Sequence, residues 1–200
     1  MDLVPHVEGK DLTLRQRLCL FHHTKVPPTA AMELPDCEIT FQQLVDADVT
    51  AEHVITARVG ILELKRRGAS SAEDLKRLKF DALHLVDDSI ASEMQSAYGS
   101  QEVRRAFVNS ATDAVYLAGT AAQAILGSTA TDLLDLCVGM PVEAASVLEQ
   151  LEHAQLRGVD CNIVLNTGVR GESLKRVGIE REQAVDLFGA TAVQLKKLYL

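Results

Sequence analysis

Histidine, cysteine and carboxylate side chains are the groups of this chain that could do chemistry, and His22-His23 is the most conspicuous pair. Adjacent helical residues point about 100° apart, so these two imidazoles do not readily bind one metal ion. Cys19 lies four residues before His23 and shares its face of a helix. A metal site would still need two further ligands, and nothing in the sequence places a candidate such as Cys37 beside this pair. We therefore expect no metal and no cofactor.

The other histidines stand alone in the sequence. A catalytic histidine needs a nucleophile and an orienting acid beside it, and the G-x-S-x-G nucleophile motif is missing around His53, His84 and His153. Glu149 and His153 are four residues apart rather than at the E-x-x-H spacing of carboxylate metal bundles, and Glu149 and Glu152 read as a solvated helix face. No glycine motif for phosphate binding is present. An enzyme whose site is assembled from scattered residues stays open as an alternative.

The placement of basic residues is the strongest functional signal. Residues 58–79 hold seven basic and three acidic side chains in a chain whose formal net charge is −8, and residues 170–197 form a second basic zone. Two basic zones on an acidic chain favour a protein partner with an acidic surface. The alternative is that these cations only complement the negative ends of helices. The candidate partner-binding residues are Arg58, Lys65, Arg66, Arg67, Lys76, Arg77, Lys79, Lys175, Arg176, Lys196 and Lys197.

Residues 59–75 also resemble a helix-hairpin-helix DNA-binding element, in which glycine-led turns present backbone N–H groups to phosphates. The resemblance covers under a tenth of the chain and implies nucleic-acid binding. It departs from the family pattern because Gly60 has no second glycine two residues later. The acidic net charge of the chain repels phosphate backbones. Nucleic-acid binding through zones 58–79 and 170–197 is therefore the alternative function and not the main one.

A period of ten or eleven residues organises most of the chain. Gly68-Ala69-Ser70 and Gly178-Ile179-Glu180 begin typical units, and each unit ends on an apolar anchor that is often followed by Lys or Arg. Glycine adopts the left-handed conformation that ends a helix, and the apolar residue after it packs back on that helix. Ser, Thr or Asp then accepts hydrogen bonds from the free N–H groups of the next helix, which is ~10 Å long.

A single unit is too short to be stable, since isolated helices need roughly 12–15 residues. The units must therefore stack on their neighbours. With 47% apolar and only 4% aromatic residues, we expect an aliphatic core. The predicted fold class is all-α: a tandem array of short (10–11 residue) helix–turn units with a few longer helices, either solenoid-like or a compact helical bundle.

The period divides the chain into two regions. Residues 1–47 are predicted to form a non-repeat helical cap, with one helix after residue 13 and a short one over 38–45. Residues 48–200 form the repeat region, in which short-helix arrays at 48–88 and 168–198 flank longer helices over 89–156. Within the latter we predict helices over 89–108 with a break at Gly99-Ser100, over 113–126 and over 142–156, with looser turns at Gly119, Gly127 and Gly139.

The cysteines and termini indicate a compartment. Cys19, Cys37, Cys137 and Cys161 are widely spaced among apolar neighbours, which predicts buried free thiols and a reducing, intracellular environment. The first residues do not form a secretory signal, no stretch approaches the ~20 apolar residues of a membrane helix, and the C-terminus matches no lipidation motif.

Taken together, the repeat array and the missing catalytic motifs predict a non-enzymatic structural or protein-interaction scaffold. It would be one subunit of a larger assembly, because the apolar ends of a repeat array need capping or a partner. The partner is expected to be an acidic protein surface or a second copy of the chain.

Overall fold

The computed structural model describes residues 40–56 and 58–200, and these are all-helical, as predicted, with no strand among them. The predicted helix after residue 13, with Cys19, His22, His23 and Cys37, lies outside the described residues. The described part divides into two compact units, with the boundary in the chain between Phe80 and Asp81. No helix in this part of the chain is long and apolar enough to cross a membrane.

The first unit is described from residue 40 to residue 80 and is made of very short helices. They are α1 (Phe41–Asp46), α2 (Ala51–Thr56), α3 (Ile61–Arg66), α4 (Ala72–Leu75) and the 3₁₀ helix η1 (Lys76–Leu78).

The second unit continues the same style over residues 81–200 and contains the longest helices. They are η2 (Ala82–Val86), α5 (Asp88–Tyr98), α6 (Ser100–Phe107), α7 (Ala111–Leu117), α8 (Ala121–Leu126), α9 (Ala130–Asp135), α10 (Pro141–Gln150), α11 (His153–Leu156), α12 (Cys161–Thr167), α13 (Gly171–Arg176), α14 (Arg181–Phe188) and α15 (Ala192–Tyr199).

The short helices of the first unit end in left-handed turns, as predicted, but glycine is not always the residue that makes the turn. In the first unit, positive φ angles occur at Asp48, Arg58, Gly68 and Lys79. The amide of the next residue then donates to the carbonyl five positions back, as in Val49 N to Leu44 O (3.1 Å) and in the bonds from the amides of residues 59, 69 and 80. This is the Schellman hydrogen bond, and it turns the following apolar side chain back onto the finished helix.

The same series of turns returns later in the chain. Gly158, Gly168, Gly178 and Gly189 have positive φ and lie 110 residues after the four turn residues of the first unit. The apolar residues agree as well, since Val49, Val54, Val59 and Leu64 have identical counterparts at Val159, Val164, Val169 and Leu174. The two arrays are therefore internal copies, and the second begins one unit earlier than the predicted residue 168.

Two of the predicted longer helices are in fact divided. The helix expected over 113–126 is two helices, α7 and α8, because Ala118 is extended (ψ 133°) and Gly119 takes a φ of +71°. A Cβ on Gly119 would lie 2.5 Å from Gln150 O, so only glycine fits there. The helix expected over 142–156 ends at Gln150, where Glu152 and Gln155 form a capping box that starts α11. The predicted break at Gly99 is confirmed.

The interior is aliphatic, as the composition predicts. The large side chains with almost no exposure are leucines and one methionine, among them Leu64, Leu75, Met94, Leu117 and Leu133. In the second unit, α5 packs on α8 and η2, α7 packs on η2, α9 and α10, and α15 packs on α12, α13 and α14. Each helix thus buries its apolar residues against several neighbours, which supplies the stability that a six-residue helix lacks alone.

Candidate functional site

The basic residues of zone 58–79 lie at the carboxyl ends of successive helices. Lys65 and Arg66 occupy the last turn of α3, and Arg67 is its C-cap. Arg58 and Lys79 occupy left-handed turn positions. Cations at these positions interact favourably with the negative helix terminus, so part of this charge has a structural role.

Two of these arginines, Arg67 and Arg77, contact α1 of the same unit. The Phe41 amide donates to the Arg67 carbonyl (2.8 Å), which places the start of α1 at the end of α3. The guanidinium carbon of Arg77 lies 5.6 Å from the centroid of the Phe41 ring. Its Nη2 also donates to Gln42 Oε1 at 2.6 Å. Residues far apart in sequence are thereby brought together on one surface.

Two of the arginines of this zone pair with the same carboxylate, that of Glu63. Glu63 is 2.9 Å from Arg67 and 3.6 Å from Arg66. Arg67 is mostly buried, with 14% of its side chain exposed, whereas the Arg66 side chain is 79% exposed. We name this group the Phe41 cluster, and it consists of Phe41, Gln42, Glu63, Arg66, Arg67 and Arg77. The cluster holds three guanidinium groups and one carboxylate, so its side chains carry a formal excess of positive charge.

The other predicted cations are not part of this cluster. Lys76 pairs with Glu73 at 3.0 Å on its own helix segment. In the second unit, Lys175 and Arg176 are exposed in the last turn of α13, and Lys196 and Lys197 are exposed in the last turn of α15. These four therefore sit where the helix-dipole interpretation places them.

The resemblance to a helix-hairpin-helix element does not extend to the turn glycine. Gly60 is the N-cap of α3 in an extended conformation, with φ of −69°. The link from α3 to α4 turns instead at Gly68, with φ of +114°. The paired-glycine hairpin that presents N–H groups to phosphate is thus missing from residues 58–75.

Two of the described histidines, His53 and His84, bind residues that lie just before their own helices. His53 Nδ1 accepts from the Thr50 amide (3.1 Å), and His84 Nδ1 lies 2.7 Å from Asp81 Oδ1, the N-cap of η2. Asp87 caps α5, and the Ser89 hydroxyl bound to it lowers the pKa of that carboxyl. Within residues 40–56 and 58–200, no group of three or more His, Cys, Asp or Glu side chains could hold a metal ion.

The two described cysteines are buried free thiols, as predicted. Burial, reinforced by the nearby Glu143 carboxylate, raises the pKa of Cys137 to about 11. Burial and Asp160 raise the pKa of Cys161 as well. A thiol with a raised pKa is a poor nucleophile, so neither residue is a catalytic candidate.

A groove between α6 and α9, with a volume of about 330 Å³, was not predicted from the sequence. One wall is the face of α6 that carries Gln101, Arg104, Arg105 and Val108. The other wall is the α9 side, with Asp132, Leu133, Asp135 and Leu136, and the intervening turn contributes Ser128. The spacing of the α6 residues could have indicated a shared face, but nothing in the sequence pairs that face with α9.

Two features make this groove distinctive. Arg104 crosses it, since its Nη1 donates to Gly127 O (3.0 Å) and lies 3.3 Å from Asp132 Oδ2. Ser128 is 7% exposed, and its hydroxyl is the one buried side-chain polar atom that has no hydrogen-bond partner among the described residues. A buried hydroxyl without a partner costs about 1–3 kcal/mol.

No protein-family model, curated protein or solved structure matches the chain.

Proposed function

We propose that this protein is a non-enzymatic interaction scaffold and that the Phe41 cluster binds an acidic surface of a protein partner. The observation that carries the proposal is that Arg66 and Arg67 share one carboxylate, Glu63, while Arg77 lies over the ring of Phe41, whose amide binds the Arg67 carbonyl. Like charges held close together repel each other, and a partner that supplies carboxylates relieves this repulsion.

The Phe41 cluster also combines two properties of a binding surface, an ordered arginine and an exposed one. Arg67 is held by Glu63 and by its own backbone contact with Phe41, so the surface is ordered before a partner arrives. Arg66, at 79% exposure, is the group that a partner carboxylate would reach first. A fixed arginine fork binds a carboxylate with two parallel hydrogen bonds, which gives geometric specificity as well as charge attraction.

An acidic protein suits this cluster better than a nucleic acid does. Phosphate backbones are bound by many free cations along a track, whereas here Arg67, Arg77 and Lys76 already contact neighbours within the unit. The rest of the chain adds repulsion, because residues 81–200 hold sixteen acidic and nine basic side chains.

The test compares the two partner classes directly. Fluorescence anisotropy is measured with a labelled polyglutamate peptide and with a labelled DNA duplex, each at low and at high salt. We expect the full chain to bind polyglutamate at low salt, and we expect the affinity to fall with added salt because exposed charges are screened. Tighter binding of the duplex would favour the nucleic-acid alternative, and binding of neither would remove the role of the cluster.

A further inference from the structure

The groove between α6 and α9 carries an inference that is independent of the Phe41 cluster, since it lies wholly within the second unit. We propose that this groove binds a small zwitterion, an α-amino acid with an aliphatic side chain. The proposal rests on the groove's size, on its two oppositely charged walls and on the buried Ser128 hydroxyl.

The size of the groove limits the ligand. Its volume of about 330 Å³ lies at the lower end of the range for small-molecule sites, roughly 300–1,000 Å³. A free amino acid fits this space. Leu133 is fully buried at the base of the groove, and Val108 and Leu136 are half-buried in its walls, which gives an aliphatic side chain an apolar surface to cover.

The charges of the walls select a zwitterion. Arg104 and Asp132 are already paired across the groove. Arg105 and Asp135, the second cation and the second carboxylate, are exposed and have no ion pair or hydrogen bond among the described residues. A simple anion would meet the acidic wall and a simple cation the basic wall. A molecule with both charges satisfies Arg105 with its carboxylate and Asp135 with its ammonium group.

Ser128 supplies an independent sign of a ligand. Its backbone N–H and C=O are both bound to Gln123, so the residue is fixed in place, while its hydroxyl is left without a partner. A hydroxyl both donates and accepts hydrogen bonds, so a charged group of either sign that reaches this buried oxygen would satisfy it.

The test is an NMR titration of the ¹⁵N-labelled full chain with L-leucine. We expect saturable shifts of the backbone amides of Gly127, Ser128 and Gln101. N-acetyl-L-leucine, which has only the negative charge, and L-leucinamide, which has only the positive charge, should each bind about tenfold more weakly, because one charged hydrogen bond is lost.

Variants assign the contacts. Arg105→Gln and Asp135→Asn should each weaken leucine binding about tenfold, and Ser128→Ala should weaken it less. Arg157→Gln and Glu149→Gln remove exposed charges outside the groove and should bind leucine as the unchanged chain does. A well-dispersed spectrum shows that each variant is folded.

Two results would overturn the proposal. If leucine gives no saturable shift up to its solubility limit, the groove is not an amino-acid site. If N-acetyl-L-leucine binds as tightly as leucine, the groove is an anion site. Neither result affects the Phe41 cluster, whose test uses a different ligand and a different unit.

Discussion

Arg77 lies over the ring of Phe41, with 5.6 Å between its guanidinium carbon and the ring centroid, and so links η1 to α1 within the first unit. Replacing it as Arg77→Gln removes this cation–π contact and the hydrogen bond to Gln42. We expect the free energy of unfolding to fall by about 0.5–1 kcal/mol, the range for an exposed contact of this kind. Urea unfolding measures it. Lys79→Gln is the control, and an equal loss there would contradict the assignment.

The internal copy of the array predicts stabilising substitutions. Arg58 and Lys79 hold left-handed conformations (φ 53° and 63°) that glycine holds in the second array, at Gly168 and Gly189. Arg58→Gly and Lys79→Gly should each raise the free energy of unfolding by about 0.5–1 kcal/mol, because the relieved strain exceeds the entropy lost by glycine.

The reverse change at another left-handed turn of the second array checks the reason. A Cβ on Gly178 would meet no atom within 4 Å, so Gly178→Ala introduces only backbone strain at φ +77°. It should lower stability by about 1 kcal/mol. Thermal unfolding of the three variants measures these changes in stability. If Arg58→Gly and Lys79→Gly lower the stability, the turns tolerate side chains without strain.

Gly171 is required for a different reason, which is close packing. Its φ is not positive, but a Cβ would lie 3.0 Å from both Cα and Cδ1 of Tyr199, so α15 would have to move. Gly171→Ala should lower the free energy of unfolding by about 1–3 kcal/mol, as overpacked sites do. Chemical denaturation measures this, with Ser173→Ala in the same helix as the control. An unchanged midpoint would mean that α15 shifts freely.

Tyr199 predicts a loss of stability in alkali. Burial, with Glu180 as the next cause, raises the pKa of Tyr199 to about 12, and its hydroxyl donates to Ile179 O at 2.7 Å. The folded state holds this proton more tightly than the unfolded state, in which the tyrosine pKa is about 10. The stability that the protonated hydroxyl contributes is therefore complete below pH 10 and is lost between pH 10 and 12. The free energy of unfolding of Tyr199→Phe should therefore decline less between pH 10 and 12 than that of the unchanged chain. An equal decline in the two proteins would contradict this explanation.

The thiols give a simple test of burial. In a Cys19→Ser/Cys37→Ser variant, Cys137 and Cys161 should react with a disulfide reagent only as fast as the protein opens, because both are buried and have raised pKa values. In denaturant, both should react at once. Rapid reaction of either thiol in the folded protein would contradict the described core.

The sequence predicted the repeat because each turn is a local event. The Gly68-Ala69-Ser70 pattern fixes a left-handed residue, a buried apolar residue and the start of a helix within a few positions, and the structure confirms this. Arg58 and Lys79 make the same turn without glycine. At these two positions only the spacing of the apolar residues indicated the repeat. The end of α10 at Gln150 was missed because Glu152 is an unusual N-cap residue, one that works here only through Gln155.

The candidate sites depend on contacts across the chain, which local patterns do not encode. The excess of cations in zone 58–79 was visible, but its convergence on Phe41 required α1 to dock at the end of α3. The α6–α9 groove was invisible for the same reason, because the Arg104–Asp132 pair joins residues that no period relates.

The internal copy also supplies the most direct test of the proposed interaction. Arg66 belongs to the Phe41 cluster, and Arg176 is its counterpart 110 residues later, in the same last-turn position of α13. Binding of a labelled polyglutamate peptide is measured at low salt for Arg66→Glu and Arg176→Glu. We predict a loss of about tenfold or more in affinity for Arg66→Glu and a much smaller change for Arg176→Glu, because only the first places a carboxylate inside the cluster. Equal losses in the two variants would mean that net charge alone governs binding, and would contradict the Phe41 cluster as the binding surface.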